Sequence, residues 1–561
     1  MTDFSYTRGP STKPLLAMTI GDAFDATVVR FGDREALISR HQGLRYTWAQ
    51  LAGRVEQCAR ALMALGIEAG DRVGIWSPNR AEWTIVQFAT AKIGAILVNI
   101  NPAYRLNELE YALKQSGCSW VVCTDVFKSS DYHGMLLELV PELAGSQPGA
   151  LDCQCLPQLR GVISFAEAPP AGLLPWAAFL QRAEEVEPAA LAQRQSKLQF
   201  DDPINIQYTS GTTGFPKGAT LSHYNILNNG WFVGESIGLT EHDRVVIPVP
   251  LYHCFGMVMG NLACLTHGAA MIYPGDAFDP LTTLQAVAEE RATALYGVPT
   301  MFIAELEHPQ RKEFDLSSLR TGIMAGATCP IEVMRRVIDE MHMKEVQIAY
   351  GMTETSPVST QTAPDDTLEQ RVTTVGRTQP HLETKLLDEK GRIVPRGEIG
   401  ELCTRGYSVM LGYWENPKAT AEAIDPACWM HTGDLATMDE AGYVRIVGRS
   451  KDMIIRGGEN IYPREIEEFL FTHPAIADAQ AVGIPDQKYG EELVAWLKLR
   501  PGHSVGEEEL RAWCKARIAH FKVPRHFRFV EEFPMTVTGK IQKFRIREIT
   551  VEQLGETGDG D

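Results

Sequence analysis

Short apolar runs alternate with amphipathic stretches from about Glu35 to Arg320. The runs at residues 72–76, 95–100, 120–123, 245–249 and 294–298 read as strands, and those at 81–92 and 106–115 carry the apolar spacing of helices. This alternation predicts βαβ units around largely parallel sheets. Residues 144–188, rich in Pro, Gly and Ala, read as irregular surface. Near Arg377 the texture changes to short strands with turn sequences, at 388–391 (DEKG) and 439–442 (DEAG). A polar stretch, GRSKD at 448–452, follows a strand and can join two domains. Beyond it, a helix opening at Tyr462-Pro463, two strands, a helix at 507–518 and a last strand at 526–530 predict a small α+β domain.

Composition narrows the function classes. The 561 residues exceed one core, and 44% apolar with 22% charged residues is ordinary for a globular enzyme. A net charge of −18 argues against nucleic-acid binding, which needs a basic surface, so an anionic ligand must be met by locally placed Lys and Arg. The most membrane-like stretch, 257–272, is short for a span and is interrupted by Gly260, Asn261, Thr266, His267 and Gly268, so a buried helix and strand are expected there. No secretory pattern opens the sequence, and eleven scattered cysteines suit a reducing cytoplasm.

The strongest local signal is YTSGTTGFPKG at 208–218, preceded by the strand-like 204–207. Thr209, Ser210, Gly211, Thr212, Thr213, Gly214, Phe215, Pro216 and Lys217 combine hydroxyls, flexible backbone N–H groups and one ammonium, the chemistry that cradles phosphate oxygens. It is not a Walker A loop: Pro216 stands where that motif has Gly, and Gly218 where it has Ser or Thr.

This loop resembles the signature of the adenylate-forming, AMP-binding superfamily. YGMTET (350–355), HTGD (431–434), GRSKD (448–452) and PMTVTGK (534–540) follow in that superfamily's order. VPLYH (249–253), VMLGYW (409–414) and AHFKVP (519–524) point to its acyl-CoA synthetase branch, and within it the medium-chain acyl-CoA synthetases are the nearest resemblance.

The resemblance implies an α/β fold. A large N-terminal domain (1–448) of stacked, mostly parallel sheets with helices and a small β-barrel-like subdomain would precede a hinge (449–452) and a small mobile α+β domain (453–561). It implies a ligase that couples ATP and a carboxylic acid into an acyl-adenylate and then passes the acyl group to CoA. Loading of a carrier protein and ligation of an aryl acid are the alternatives. Lys540 would neutralise charge where the carboxylate meets the α-phosphate. Glu354 would hold Mg²⁺, Thr353 the phosphates, and Tyr350, Gly351 and Ala327 the adenine. Asp434 and Arg449 would take the ribose or phosphate. Lys451 would sit at the hinge, Gly457 and Gly458 along the CoA channel, and His253, Phe255, Met324 and Gly326 around the acid. The apolar lining at 254–258 and 323–324 lacks a charge partner for an amino acid's ammonium and favours an aliphatic acid of medium length or longer. A homodimer is allowed, with nothing in the sequence requiring one.

Overall fold

The computed structural model describes residues 4–209, 216–327, 329–456, 459–486, 489–536 and 539–556. Ser210, Gly211, Thr212, Thr213, Gly214 and Phe215 of the loop, and Gly457 and Gly458, lie outside the described residues.

Two sheets carry the larger of two compact units, which spans Thr7–Thr384 and Thr404–His431. In the eight-stranded sheet, Leu174–Pro175, Gly161–Ser164, Trp120–Cys123, Arg72–Trp76, Ile96–Asn99 and Pro203–Thr209 run parallel. Lys217–Ser222 and Gly412–Tyr413 complete it in antiparallel sense. In the nine-stranded sheet, Glu35–Ser39, Ala270–Tyr273, Arg244–Val246, Ala294–Gly297, Thr321–Ala325 and Glu345–Gly351 run parallel, with antiparallel strands at both edges.

The apolar runs form strands here because both faces of a parallel sheet are covered, so β-branched residues can be buried at successive positions. Trp120, Val121, Val122 and Cys123 are all fully buried. Helix Ala81–Ile93 is buried at every position but Glu82, and it ends at Gly94, whose φ of +76° supplies the left-handed stop. Helix Leu106–Ser116 stops in the same way at Gly117.

The stretch at 257–272 resolves into a π-helix at Phe255–Leu262, helix Ala263–His267 and the buried strand Ala270–Tyr273. Among the described residues no helix is long and apolar enough to cross a membrane.

One expectation fails in this unit. Residues 144–188 are not wholly irregular: Gly161–Ser164 is a buried sheet strand, and helix Trp176–Gln181 follows it. Val162 and Ile163 are fully buried, and this short β-branched pair suffices once a parallel neighbour exists on each side.

The smaller unit includes Lys385–Cys403 and residues from Thr432 onward. There Met430–Met438 pairs with Val444–Arg449 around the turn at 439–442, where Gly442 takes a φ of +86°. The two expected strands, Ile476–Asp486 and Gly490–Leu499, pair in antiparallel sense, and His526–Phe529 adds in parallel. Helices Pro463–Phe471 and Glu507–Lys515 contribute Ile466, Leu470, Leu510 and Cys514 to the core beneath them. A further helix, Lys543–Glu556, follows the expected last strand.

Candidate active site

In the larger unit the chemistry collects at the carboxyl ends of parallel strands, where α/β sheets leave a crevice for ligands. The phosphate loop is the connection of a hairpin: Pro203–Thr209 leads in, Lys217–Ser222 leads out, and Thr209 pairs with Lys217. Gly412–Tyr413 lies beside the outgoing strand, in register with Ala219 and Thr220. The Lys217 ammonium therefore stands over the Tyr413 ring, 5.1 Å from its centre.

Glu354 lies on a short 3₁₀ turn, Thr353–Thr355, after strand Glu345–Gly351, and is buried. Thr209 Oγ1 donates to its Oε1 at 3.1 Å, and the Tyr413 hydroxyl donates to the same oxygen at 2.9 Å. Burial, reinforced by the Glu354 carboxylate, holds the Tyr413 hydroxyl far above its ordinary pKa, so it remains a donor. Among the described residues no protein hydrogen bond reaches Oε2. A carboxylate oxygen left without a protein hydrogen bond among the described residues is a donor that Mg²⁺ accepts, since that ion retains several waters and takes few protein ligands. These residues fit that ion.

The neighbouring strand ends complete this half. Ala325 pairs with Ala349, which brings exposed Gly326 and Ala327 beside half-buried Tyr350 and exposed Gly351. A Cβ on Gly351 would fall 1.7 Å from the Pro357 carbonyl oxygen, so only glycine lets the chain turn there. Thr353 is buried just beyond.

His253 and Phe255 open the π-helical segment. The Phe255 N–H donates to His253 Nδ1 at 3.2 Å, and the Phe255 ring stacks on Tyr296 at 5.7 Å. Met324, one strand away, is fully buried.

The smaller unit holds its own residues. Asp434 and Arg449 face each other across the hairpin, with Arg449 Nε donating to Asp434 Oδ1 at 3.1 Å. Thr432 Oγ1 accepts from the Asp434 N–H at 3.1 Å, and Gly433, at φ +71°, turns the chain between them. Lys451 follows on the 3₁₀ turn Ser450–Asp452. Lost solvation and the adjacent Arg449 charge lower its pKa. Lys540 is tied to Thr536 through its main chain: its N–H donates to Thr536 Oγ1 at 3.1 Å, and its carbonyl accepts from the Thr536 N–H at 2.7 Å.

Family profiles cover both parts of the chain. The profile described as "AMP-binding enzyme" matches residues 24–414, and "AMP-binding enzyme C-terminal domain" matches 465–540. The chain is an AMP-binding enzyme of the acyl-CoA synthetase branch. It is 51% identical, over 96% of its length and 98% of the relative's, to a protein with a provisional acyl-CoA synthetase name, YngI of Bacillus subtilis (strain 168). It is 46% identical to the human mitochondrial medium-chain acyl-CoA ligase ACSF2, over 97% of this chain and 89% of that one. Among solved structures, the anthranilate CoA ligase AuaEII in complex with anthranoyl-AMP superposes on this AMP-binding enzyme with a TM-score of 0.84 at 27% identity, covering 97% of this chain and 99% of that one. ATP-bound MatB of Rhodopseudomonas palustris gives 0.82 at 28% identity, covering 96% and 100%.

Sequence reasoning named Thr209, Lys217 and Glu354, and the fold brings them together. It missed Tyr413. The signal was present in the motif at 409–414, where an aromatic hydroxyl sits in a strand-like pair, but only sheet pairing reveals that it lies beside the loop's return strand.

Proposed function

We propose that this enzyme activates an aliphatic carboxylic acid of medium chain length or longer with ATP, and transfers the acyl group to CoA. The observation that carries this reading is the convergence of Thr209 and Tyr413 on Glu354, beside the paired Thr209 and Lys217 that flank the Ser-, Thr- and Gly-rich motif. The relatives named as acyl-CoA synthetases and medium-chain ligases support the substrate class.

In this reading the loop from Thr209 to Lys217 cradles the ATP phosphates. Glu354 and Thr353 hold Mg²⁺ and phosphate oxygens, the ion drawing charge from the α-phosphate and the leaving pyrophosphate when bound. Tyr350, Gly351 and Ala327 take the adenine, and Asp434 with Arg449 the ribose. One oxygen of the acid's carboxylate attacks the α-phosphorus, the bond to the bridging oxygen breaks, and pyrophosphate departs. Two anions meet in that step, and the Lys540 ammonium is the group that offsets their repulsion. The CoA thiol then gives up its proton to solvent as its sulfur attacks the acyl carbon of the adenylate, and AMP leaves with the bonding pair.

The two steps need different surroundings, so we assign residues 453–561 to a lid domain that turns about Lys451 in the hinge at 449–452, following the N-terminal domain at 1–448. Gly457 and Gly458 would line the CoA path. His253, Phe255, Met324 and Gly326 would surround the acid, whose chain meets buried apolar side chains. The scattered free cysteines support a cytoplasmic setting.

Ligation of an aryl acid is the second reading, favoured by the structural likeness to an anthranilate CoA ligase. A pyrophosphate-release screen over acids of graded length and over aryl acids, with and without CoA, tests both. Release that depends on an aliphatic acid, with CoA thioester as product, is expected. A preference for aryl acids would overturn the substrate assignment, and a demand for a carrier protein in place of CoA would overturn the acceptor.

A further inference from the structure

Strand Pro203–Thr209 departs from the pattern of its sheet. Its parallel neighbours are apolar at nearly every position, but this strand alternates: Asn205, Gln207 and Thr209 point to one face, with Ile204, Ile206 and Tyr208 on the other. Alternation of this kind ordinarily marks a solvent-facing strand. Here Asn205 and Gln207 are nevertheless buried, at 1% and 3% exposure. Burying amides is costly unless each polar group is bonded, so this face has a specific set of partners.

Gln207 Nε2 donates to Asn205 Oδ1 at 3.0 Å and to the Met257 sulfur at 3.1 Å, while the Cys254 thiol donates to Gln207 Oε1 at 3.2 Å. Asn205 Nδ2 in turn donates to Asn99 Oδ1 at 3.0 Å, and Asn99 Nδ2 donates to the Tyr252 carbonyl at 2.8 Å and to the same Met257 sulfur at 3.2 Å. A closed polar web thus joins the strand entering the phosphate loop to the segment from Tyr252 to Met257. That segment runs straight into a π-helix, a strained form often retained at functional sites. The same strand face continues two residues on to Thr209, whose hydroxyl bonds Glu354.

We propose that Gln207 is a positioning residue for adenylation: it sets the distance between the segment that holds the acid and the loop that holds the α-phosphate. The inference rests on the proposed reading of His253 and Phe255 as acid-pocket residues. A carboxylate must approach phosphorus along one line, and small misplacements of either partner are costly in rate. Gln207 touches neither reactant. It fixes the two elements that do.

The test compares Gln207→Met with Asn261→Leu. Asn261 is a buried amide at the far end of the same π-helix, bonded to Gln87, Thr84 and Tyr273 rather than to the loop strand. Both variants lose one buried amide, so similar drops in melting temperature are expected. Acid-dependent exchange of labelled pyrophosphate into ATP separates them. Gln207→Met should lower kcat/KM for the acid by about tenfold or more, with KM for ATP within about twofold, whereas Asn261→Leu should leave both within about twofold. Gln207→Asn, which keeps an amide one methylene short, should recover part of the loss. Acid kinetics unchanged in folded Gln207→Met, or equal losses in both variants, would overturn the inference and leave the proposed function standing. Wild type that exchanges pyrophosphate with no acid would overturn the reading beneath it as well. Should Gln207→Met not accumulate as folded protein, Cys254→Ala removes one bond of the link; about a threefold loss in the acid term is then expected, and no loss overturns the inference.

Discussion

At the strand ends of the larger unit, Glu354 is 5% exposed and two hydroxyls fix one of its oxygens. In the smaller unit, Arg449 has 57% of its side chain exposed, and the Lys540 main chain bonds Thr536. The first set is locked by packing and hydrogen bonds before any substrate arrives, which suits groups that hold phosphate and cation through the whole reaction. The second set lies at a strand end and on a connecting segment, outside the buried core, which suits groups that act at one step. Substitution in the first set should therefore couple activity to stability, and substitution in the second should separate them.

The sharpest separation is expected for Lys540→Ala. Formation of the CoA thioester should fall by about 10²–10³-fold or more, as for loss of one group that stabilises developing charge, with the melting temperature unchanged within about 1 °C. Thioester yield and a thermal melt on one preparation check it; a large fall in melting temperature would erase the contrast. Glu354→Gln comes next. It keeps the shape that Thr209 and Tyr413 bond but removes the charge, so turnover should fall by about 10²-fold and the Mg²⁺ needed for half-maximal rate should rise. A magnesium titration of initial rates reads both.

Tyr413→Phe removes a single hydrogen bond to that carboxylate. A bond to a charged group typically contributes about 1.5–3 kcal/mol, so a loss of stability of that order together with a loss of rate of about tenfold is expected, measured by chemical denaturation and steady-state kinetics. The smallest effect concerns stability alone. Glu305 is fully buried, neither of its oxygens has a hydrogen-bond partner among the described residues, and burial raises its pKa well above the ordinary range. A carboxyl that binds its proton more tightly in the fold loses stability for the protein as pH rises above the unfolded value. Glu305→Met should thus stabilise by about 1–3 kcal/mol at pH near 8 and by less at pH near 5, with activity unchanged. Denaturation at the two pH values checks the sign.

The parallel sheets were legible because most of their strands are apolar at nearly every position and are flanked by helices with clear spacing. Trp120–Cys123 and Arg72–Trp76 stand where the sequence puts them. Gly161–Ser164 was not, since four residues inside a Pro- and Ala-rich stretch carry too little pattern. The last helix, Lys543–Glu556, hides for another reason: Thr550 is buried while Phe544 and Val551 are exposed, so polarity and burial disagree along it. In the site, Thr209, Lys217 and Glu354 were readable from motif chemistry. Tyr413 and the Asn99–Asn205–Gln207 web were not, because their meaning lies in which strands become neighbours. The alternating polarity at 203–209 was the clue, visible only once that strand is known to be covered on both faces.

In the proposed mechanism a single ammonium on the smaller unit drives the first half-reaction and is dispensable for the second. Measuring the two halves separately in Lys540→Ala tests it directly: acid-dependent pyrophosphate exchange into ATP on one side, and CoA thioester formation from synthetic acyl-adenylate on the other. Exchange should be abolished while thioester formation from the adenylate proceeds at close to the wild-type rate. Exchange at the wild-type rate in that variant would contradict it.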